Sequence, residues 1–178
     1  MDSINQNQPE LNRAGLRGAD AIKQAKELID KAQTCFFCTG TTNGSVGTRP
    51  MSVQEVDDAG NLWFLSADDS HKNQELERDP NVTLYFQGSA HSDFLTLRGT
   101  VSISRDKEKI KQLWEPVVKT WFTEGVDDPR ITVIRFASKD GYYWTTKHGK
   151  AIAGVKMLIG AAIGTTLDDS LEGQLLFA

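Results

Sequence analysis

Apolar positions along this chain first recur at a helical spacing and then, from Thr34 onward, alternate. Between Ala19 and Ala32, residues Ile22, Ala25, Leu28, Ile29 and Ala32 share one face, and Lys23, Glu27 and Lys31 stand four apart on another. This is the pattern of an amphipathic helix. After it the period shortens. Thr34–Thr39 and Thr48–Val56 read as strands around an Asn43-Gly44 turn, and Asp57-Asp58-Ala59-Gly60 turns the chain into a hairpin partner, Asn61–Ser66. A short polar helix, Asp69–Glu77, stops before Asp79-Pro80, because the residue before a proline avoids helical backbone. Val82–Gln87 and Phe94–Ser104 form another antiparallel pair across Gly88-Ser89-Ala90-His91, with Gly99 marking a bulge or a close backbone approach. Asp106–Leu113 and Val117–Phe122 are helical, interrupted at Pro116. Ile131–Ala137 and Tyr142–Thr146 read as a last hairpin, Gly149–Ile163 as a helix and Gln174–Phe177 as a final strand.

Strands joined mostly by short turns, with helices appended between them, predict a mainly β fold. The expected form is a closed or half-closed antiparallel β-barrel rather than alternating βαβ units. Residues 1–15 are polar and expected to be a disordered lead; residues 16–178 are expected to form a single domain, which the length of 178 residues suits.

Charge narrows the function. A net charge of −4 argues against nucleic acid or an anionic membrane as the main partner, so any anion site has to be local. No run approaches the roughly 18 apolar residues of a membrane span. The first residues also lack the basic-then-apolar layout of a signal peptide. A cytoplasmic protein is expected. The two cysteines, Cys35 and Cys38, form a C-x-x-C, but in a β-branched, aromatic run that reads as strand rather than helix start. They are therefore expected to be ordinary buried thiols, and no metal site is expected.

One stretch carries chemistry. Ser70-His71-Lys72-Asn73 opens the short polar helix, where free backbone N–H groups and the helix dipole suit an anion. Ser70 alone is explained as an N-cap. Lys72 is not, because a cation in the first turn opposes the dipole unless an anion shares the space. Arg49, at the start of Arg49-Pro50-Met51, can clamp a phosphate bidentately or simply cover a barrel end. Trp114, Trp121, Phe122, Tyr142, Tyr143 and Trp144 crowd the C-terminal half. They suit core packing, and a planar cofactor would want the same surfaces.

These residues together carry a resemblance. Arg49-Pro50-Met51, the strand Leu62-Trp63-Phe64-Leu65-Ser66, Ser70-His71-Lys72-Asn73 with Glu75-Leu76, and Asp79-Pro80 resemble the pyridoxamine 5′-phosphate oxidase-like split-barrel flavoproteins. Leu113-Trp114, Trp121-Phe122, Glu124-Gly125, Asp127-Asp128-Pro129 and Tyr143-Trp144 are similar to the general stress protein 26 group within them. The resemblance spans about Ala19 to Gly164. It implies a Greek-key split β-barrel of the FMN-binding type, working as a homodimer with the flavin (FMN, with FAD as the alternative) between two barrels. The implied cofactor-binding residues are Arg49, Pro50, Met51, Ser66, Ser70, His71, Lys72, Trp121, Phe122 and Trp144, with Arg49 and the Ser70-x-Lys72 pair on the phosphate.

The chain also departs from the oxidases proper. Gln54 stands where they carry a lysine, Phe94 and Leu95 where they carry a glutamine, and Thr145-Thr146-Lys147-His148-Gly149-Lys150 lacks their Arg-x-His-x-Arg motif. The resemblance thus implies the flavin site but not the vitamin B6 site. The expected function is an FMN-binding oxidoreductase on an unidentified small molecule, stress-related; the alternative is a non-catalytic, flavin-sequestering stress protein.

Overall fold

The computed structural model describes residues 12–40, 47–147 and 169–178. The helix Gly18–Ala32 (α1) precedes the strands Thr34–Thr39 (β2), Gly47–Ser52 (β3), Glu55–Val56 (β4) and Asn61–Ala67 (β5). The helix His71–Arg78 (α2) leads into Asn81–Gln87 (β6) and Phe94–Ser104 (β7). Lys107–Leu113 (α3) and two short 3₁₀ turns, Pro116–Thr120 and Gly125–Asp127, then lead to Ile131–Thr146 (β8) and Ser170–Leu176 (β9). A two-residue strand, Leu16–Arg17 (β1), comes before α1 and runs parallel to β9. The lead expected to be disordered through Gly15 is already tied down from Asn12: the backbone N–H of Ala14 donates to the carbonyl of Glu172, and that of Glu172 to the carbonyl of Asn12. Residues 1–11, the Asn43-Gly44 turn and the expected helix Gly149–Ile163 lie outside the described residues.

One sheet runs β1-β9-β8-β7-β6-β2-β3, with the β4–β5 hairpin joined to it through β5 and β8. The strand expected over Thr48–Val56 breaks at Val53-Gln54: β3 pairs with β2, while β4 pairs with β5. The fold is the mainly β split barrel, and β8 is its pivot. Its first half pairs with β5, its second half with β9, and β7 runs along both. The hairpin expected between Ala137 and Tyr142 is therefore a single strand. Ser138-Lys139-Asp140-Gly141 has the composition of a turn, yet the chain passes through it with a register shift opposite Arg98 and Gly99. Gly141 is there for close approach: a Cβ on it would lie 2.4 Å from the Thr96 carbonyl oxygen. Gly99 is equally constrained, since its Cβ would meet the Ala137 carbonyl oxygen at 2.1 Å.

The barrel interior is filled by Phe37, Phe64, Leu84, Leu97, Ile134, Phe136 and Tyr143, with Phe37 and Phe64 edge-to-face at 5.4 Å. Ala21, Ala25, Leu28 and Ile29 of α1 pack onto it. On the opposite face of β5 and β8, Ile110, Leu113, Val118 and Phe122 form a second core against Ile131 and Val133. Cys35 and Cys38 are buried free thiols. Burial, and then the neighbouring Cys38, push Cys35 up to about 12, so it carries no thiolate at neutral pH.

Candidate functional site

Strand alternation decides which residues of the Arg49 region face which way. Arg49 is the cross-strand partner of the fully buried Phe37, and Met51 that of Cys35, so both share the inner face of β3. Pro50 pairs with the exposed Phe36 and lies on the outer face. Helix α2 approaches Arg49 and Met51 from the end of β5. Its N-cap is Ser70, whose side chain accepts from the Asn73 backbone N–H, and its buried face is Lys72, Asn73 and Leu76. His71 is exposed.

Two polar systems meet on that helix. The first is closed on itself. Ser66 Oγ donates to Asn73 Oδ1 at 2.8 Å, Asn73 Nδ2 to Thr132 Oγ1 at 3.0 Å, and Thr132 Oγ1 to the Ser66 carbonyl at 2.9 Å. The Ser70 hydroxyl joins it at 3.2 Å from Asn73 Oδ1. Ser66 and Ser70 thus hold α2 to the β5–β8 ladder, with their hydroxyls turned toward Asn73.

The second system is not satisfied. Arg49 Nη2 donates to Glu75 Oε2 at 2.8 Å, and the Thr39 hydroxyl donates to the same oxygen. Arg49 Nη1 is buried and has no hydrogen-bond partner among the described residues. The Lys72 side chain is also buried, and its ammonium contacts the thioether of Met51 at 3.5 Å, a weak acceptor. Burial first, then the adjacent Arg49 charge, bring Lys72 down to about 8, against the opposing pull of Glu75. Glu75 is held below the usual carboxylate range by the Thr39 hydrogen bond and by Arg49, and is ionised. The cleft therefore holds two cations, one carboxylate and a buried N–H donor with no acceptor.

Gly47 completes the cleft. A Cβ there would lie 2.3 Å from Arg49 Nη2 and 3.0 Å from both Glu75 Oε2 and Thr39 Oγ1. The arginine, the carboxylate and the hydroxyl converge over bare backbone. An acceptor group with two or more oxygens and net negative charge matches what Arg49 Nη1 and Lys72 lack, so the residues fit a flavin's phosphate. Thr39, Gly47, Glu75 and Thr132 line this cleft and its supporting network but were given no role in the sequence, and Asn73 was noted only as part of the Ser70–Asn73 stretch. Of these, only Glu75 had a local signal, three residues after Lys72 on the same helix face.

The expected ring contacts are not gathered in the same place. Trp144 pairs with Phe94 and Glu172. Arg49's row across the sheet runs through Phe37, Leu84 and Leu97 to Gly141, four strand spacings or about 19 Å away. Along β8, on the order of 40 Å of strand separates Trp144 from Thr132. Phe122 is committed to the second core, on the face of β5 opposite Ser66, while Trp121 beside it is 66% exposed. Open clefts among the described residues include one of about 640 Å³ that borders the site at Asn73 and Thr132 and reaches Leu76, Val101 and Ile103, and one of about 460 Å³ lined by His91, Phe94, Thr96, Tyr142 and Trp144.

The buried lysine makes a prediction for the ligand-free protein. A lysine whose folded pKa lies below its unfolded value makes the unfolded state the better proton binder, so its contribution to stability rises with pH between about 8 and 10.5. Other groups titrate there as well, so the measurement is a difference. Urea unfolding of the wild type and of Lys72→Met at pH 7, 8.5 and 10 should show the variant's stability advantage shrinking as pH rises. A constant difference would mean that Lys72 is solvated.

Comparison with known proteins sets this geometry in a family. Residues 20–168 match the family described as pyridoxamine 5′-phosphate oxidase like, and the chain belongs to that family. Protein bli-3 of Neurospora crassa is 28% identical over 109 residues, covering 56% of this chain. The chain spans 52% of that relative's length. Among solved structures, a general stress protein 26 of Jannaschia sp. CCS1 superposes with a TM-score of 0.68 at 20% identity, over 89% of this chain and 99% of that one. The general stress FMN/FAD binding protein of Xanthomonas citri gives a TM-score of 0.56 at 22% identity, over 66% of this chain and 83% of that one. Both likenesses concern the fold. Among the described residues no helix is long and apolar enough to cross a membrane.

Proposed function

We propose that the chain is an FMN-binding flavoprotein of the cytoplasm that holds the flavin's phosphate with Arg49 and Lys72. The observation that carries this is Arg49 Nη1, buried without an acceptor among the described residues, beside a lysine whose ammonium contacts the Met51 thioether, a weak acceptor. A phosphate ester supplies the missing oxygens and charge, and Gly47 leaves the room. FMN is favoured over riboflavin on this ground, since the fitted group is the phosphate. The bound flavin would supply the electron- or hydride-transfer chemistry. The chain's own part is to fix the phosphate end through Arg49 and Lys72, while the Ser66-Asn73-Thr132 network keeps α2 in place. The reaction class we favour is oxidoreduction of a small molecule. The second reading, a non-catalytic flavin-holding stress protein, is favoured by a cleft whose described charged groups, Arg49, Lys72 and Glu75, answer a phosphate rather than a reacting ring.

A homodimer fits the separation of phosphate cleft and aromatics. Phe36, Tyr85, Phe94, Tyr142 and Trp144 are all at least 39% exposed. Register rows join Pro50, Phe36, Tyr85, Thr96 and Tyr142 across five strands of the outer face. An exposed aromatic patch of this extent suits burial against another surface. A second copy would cover it and present its own Trp144 to a flavin anchored on Arg49.

Three measurements test the proposal. The visible spectrum of the purified protein should show flavin absorption, and a colourless protein that takes up no added FMN defeats it. Rapid, saturable bleaching by NADH or NADPH supports the oxidoreductase, while flavin bound without reduction supports the second reading. Sedimentation at micromolar concentration should give a dimer, with Tyr85→Asp shifting it to monomer; a flavin-loaded wild-type monomer would remove the shared site.

A further inference from the structure

Glu75 stands where the phosphate is needed. Its Oε2 takes the Nη2 donor of Arg49 and the hydroxyl of Thr39, two groups that would otherwise point at an incoming anion. The charged and titratable groups around it among the described residues are Arg49 from β3 and Lys72 and His71 from α2, and Thr39 from β2 is a neutral donor. Every one of these favours its ionised form. Nevertheless Arg49 Nη1 stays without an acceptor and Lys72 stays on Met51, so one carboxylate neutralises the cleft only in part.

We propose that Glu75 is a built-in competitor anion, which tunes the affinity and charge preference of the Arg49–Lys72 cleft for phosphate-bearing ligands. The inference rests on the phosphate-site reading above. Without ligand, Glu75 compensates two cations that would otherwise repel each other inside a half-exposed cleft. With ligand, its negative charge opposes the phosphate, and the more strongly the more charge the phosphate carries. The cleft therefore binds its ligand reversibly and discriminates against dianions in general, inorganic phosphate included. Thr39 and Gly47 serve the same device. One holds the carboxylate over the strand, and the other leaves it space.

Glu75→Gln separates this from a supporting role, because the amide oxygen can still accept from Arg49 and Thr39 while the charge is gone. FMN, riboflavin and inorganic phosphate are titrated against wild type and Glu75→Gln, with Arg49→Ala and Lys72→Ala as references and thermal unfolding as the folding check. Glu75→Gln should bind FMN about tenfold more tightly, as expected for removing one like charge from a half-exposed cleft. Inorganic phosphate should tighten in the same direction, and riboflavin should not change. If Glu75→Gln binds FMN as wild type does, or more weakly, while Arg49→Ala and Lys72→Ala still lose it, Glu75 only positions Arg49. The inference then fails and the phosphate site stands. If Arg49→Ala and Lys72→Ala bind FMN as wild type does, both readings fall together.

Discussion

Arg49→Ala and Lys72→Ala should each weaken FMN binding about thirtyfold and leave riboflavin binding almost unchanged. A phosphate monoester near neutral pH carries between one and two negative charges, and an acidic protein of net charge −4 has to neutralise it locally. Arg49 offers a planar fork, with one nitrogen on Glu75 and the other free in the cleft. Lys72 offers a compact charge at the start of α2. Removing either leaves part of the phosphate uncompensated, at a cost of roughly 2 kcal/mol. The two variants should differ in their pH dependence. Lys72 loses its proton near pH 8, so wild-type FMN affinity should begin to fall there, and Lys72→Ala should be flat across the same range. Equal losses for FMN and riboflavin would mean that the two cations support the fold rather than the phosphate.

Local pattern made much of this architecture readable from the sequence, and the failures have physical causes. The helix Gly18–Ala32 and the strands Thr34–Thr39 and Phe94–Ser104 stand within a residue of where periodicity put them, because each buries one regular face. The Ser70 cap and the stop at Asp79 follow from local chemistry in the same way. Ser138-Lys139-Asp140-Gly141 misled because turn composition and bulge composition coincide. What distinguishes them is the Thr96 carbonyl packed against Gly141, a contact from another strand. The site divides along the same line. Arg49 and Lys72 could be singled out by residue type, but Lys72's burial could not, since a lysine in a polar helix reads as solvated. Thr39 and Gly47 enter only through the pairing of β2 with β3, and Thr132 only through that of β5 with β8. Trp121 and Phe122 read as a unit in sequence, but the second core takes Phe122 and leaves Trp121 outside.

Gly99→Ala should cost about 3 kcal/mol of folding stability, a large share of the 5–15 kcal/mol that holds an ordinary domain together. The added Cβ would sit 2.1 Å from the Ala137 carbonyl oxygen, 2.8 Å from the Phe136 ring and 3.0 Å from the Ala137 carbonyl carbon. Two of those three atoms are backbone, and the third is the tip of a fully buried ring, so nothing can swing aside. Relief requires β7 and β8 to separate at the register shift, where β8 passes from pairing with β5 to pairing with β9. Gly125→Ala is the control. Gly125 has a left-handed backbone, with φ of +80°, which Gly99 does not, but its Cβ would meet nothing within 4 Å, so only the backbone penalty of about 1 kcal/mol applies. Urea unfolding of the two variants beside wild type gives the comparison. A Gly99→Ala loss no larger than that of Gly125→Ala would mean that the β7–β8 register relaxes freely. In that case β8 could not hold Thr132 at one end and Trp144 at the other in fixed relation, and the Arg49 cleft and the aromatic surface would lose their common frame.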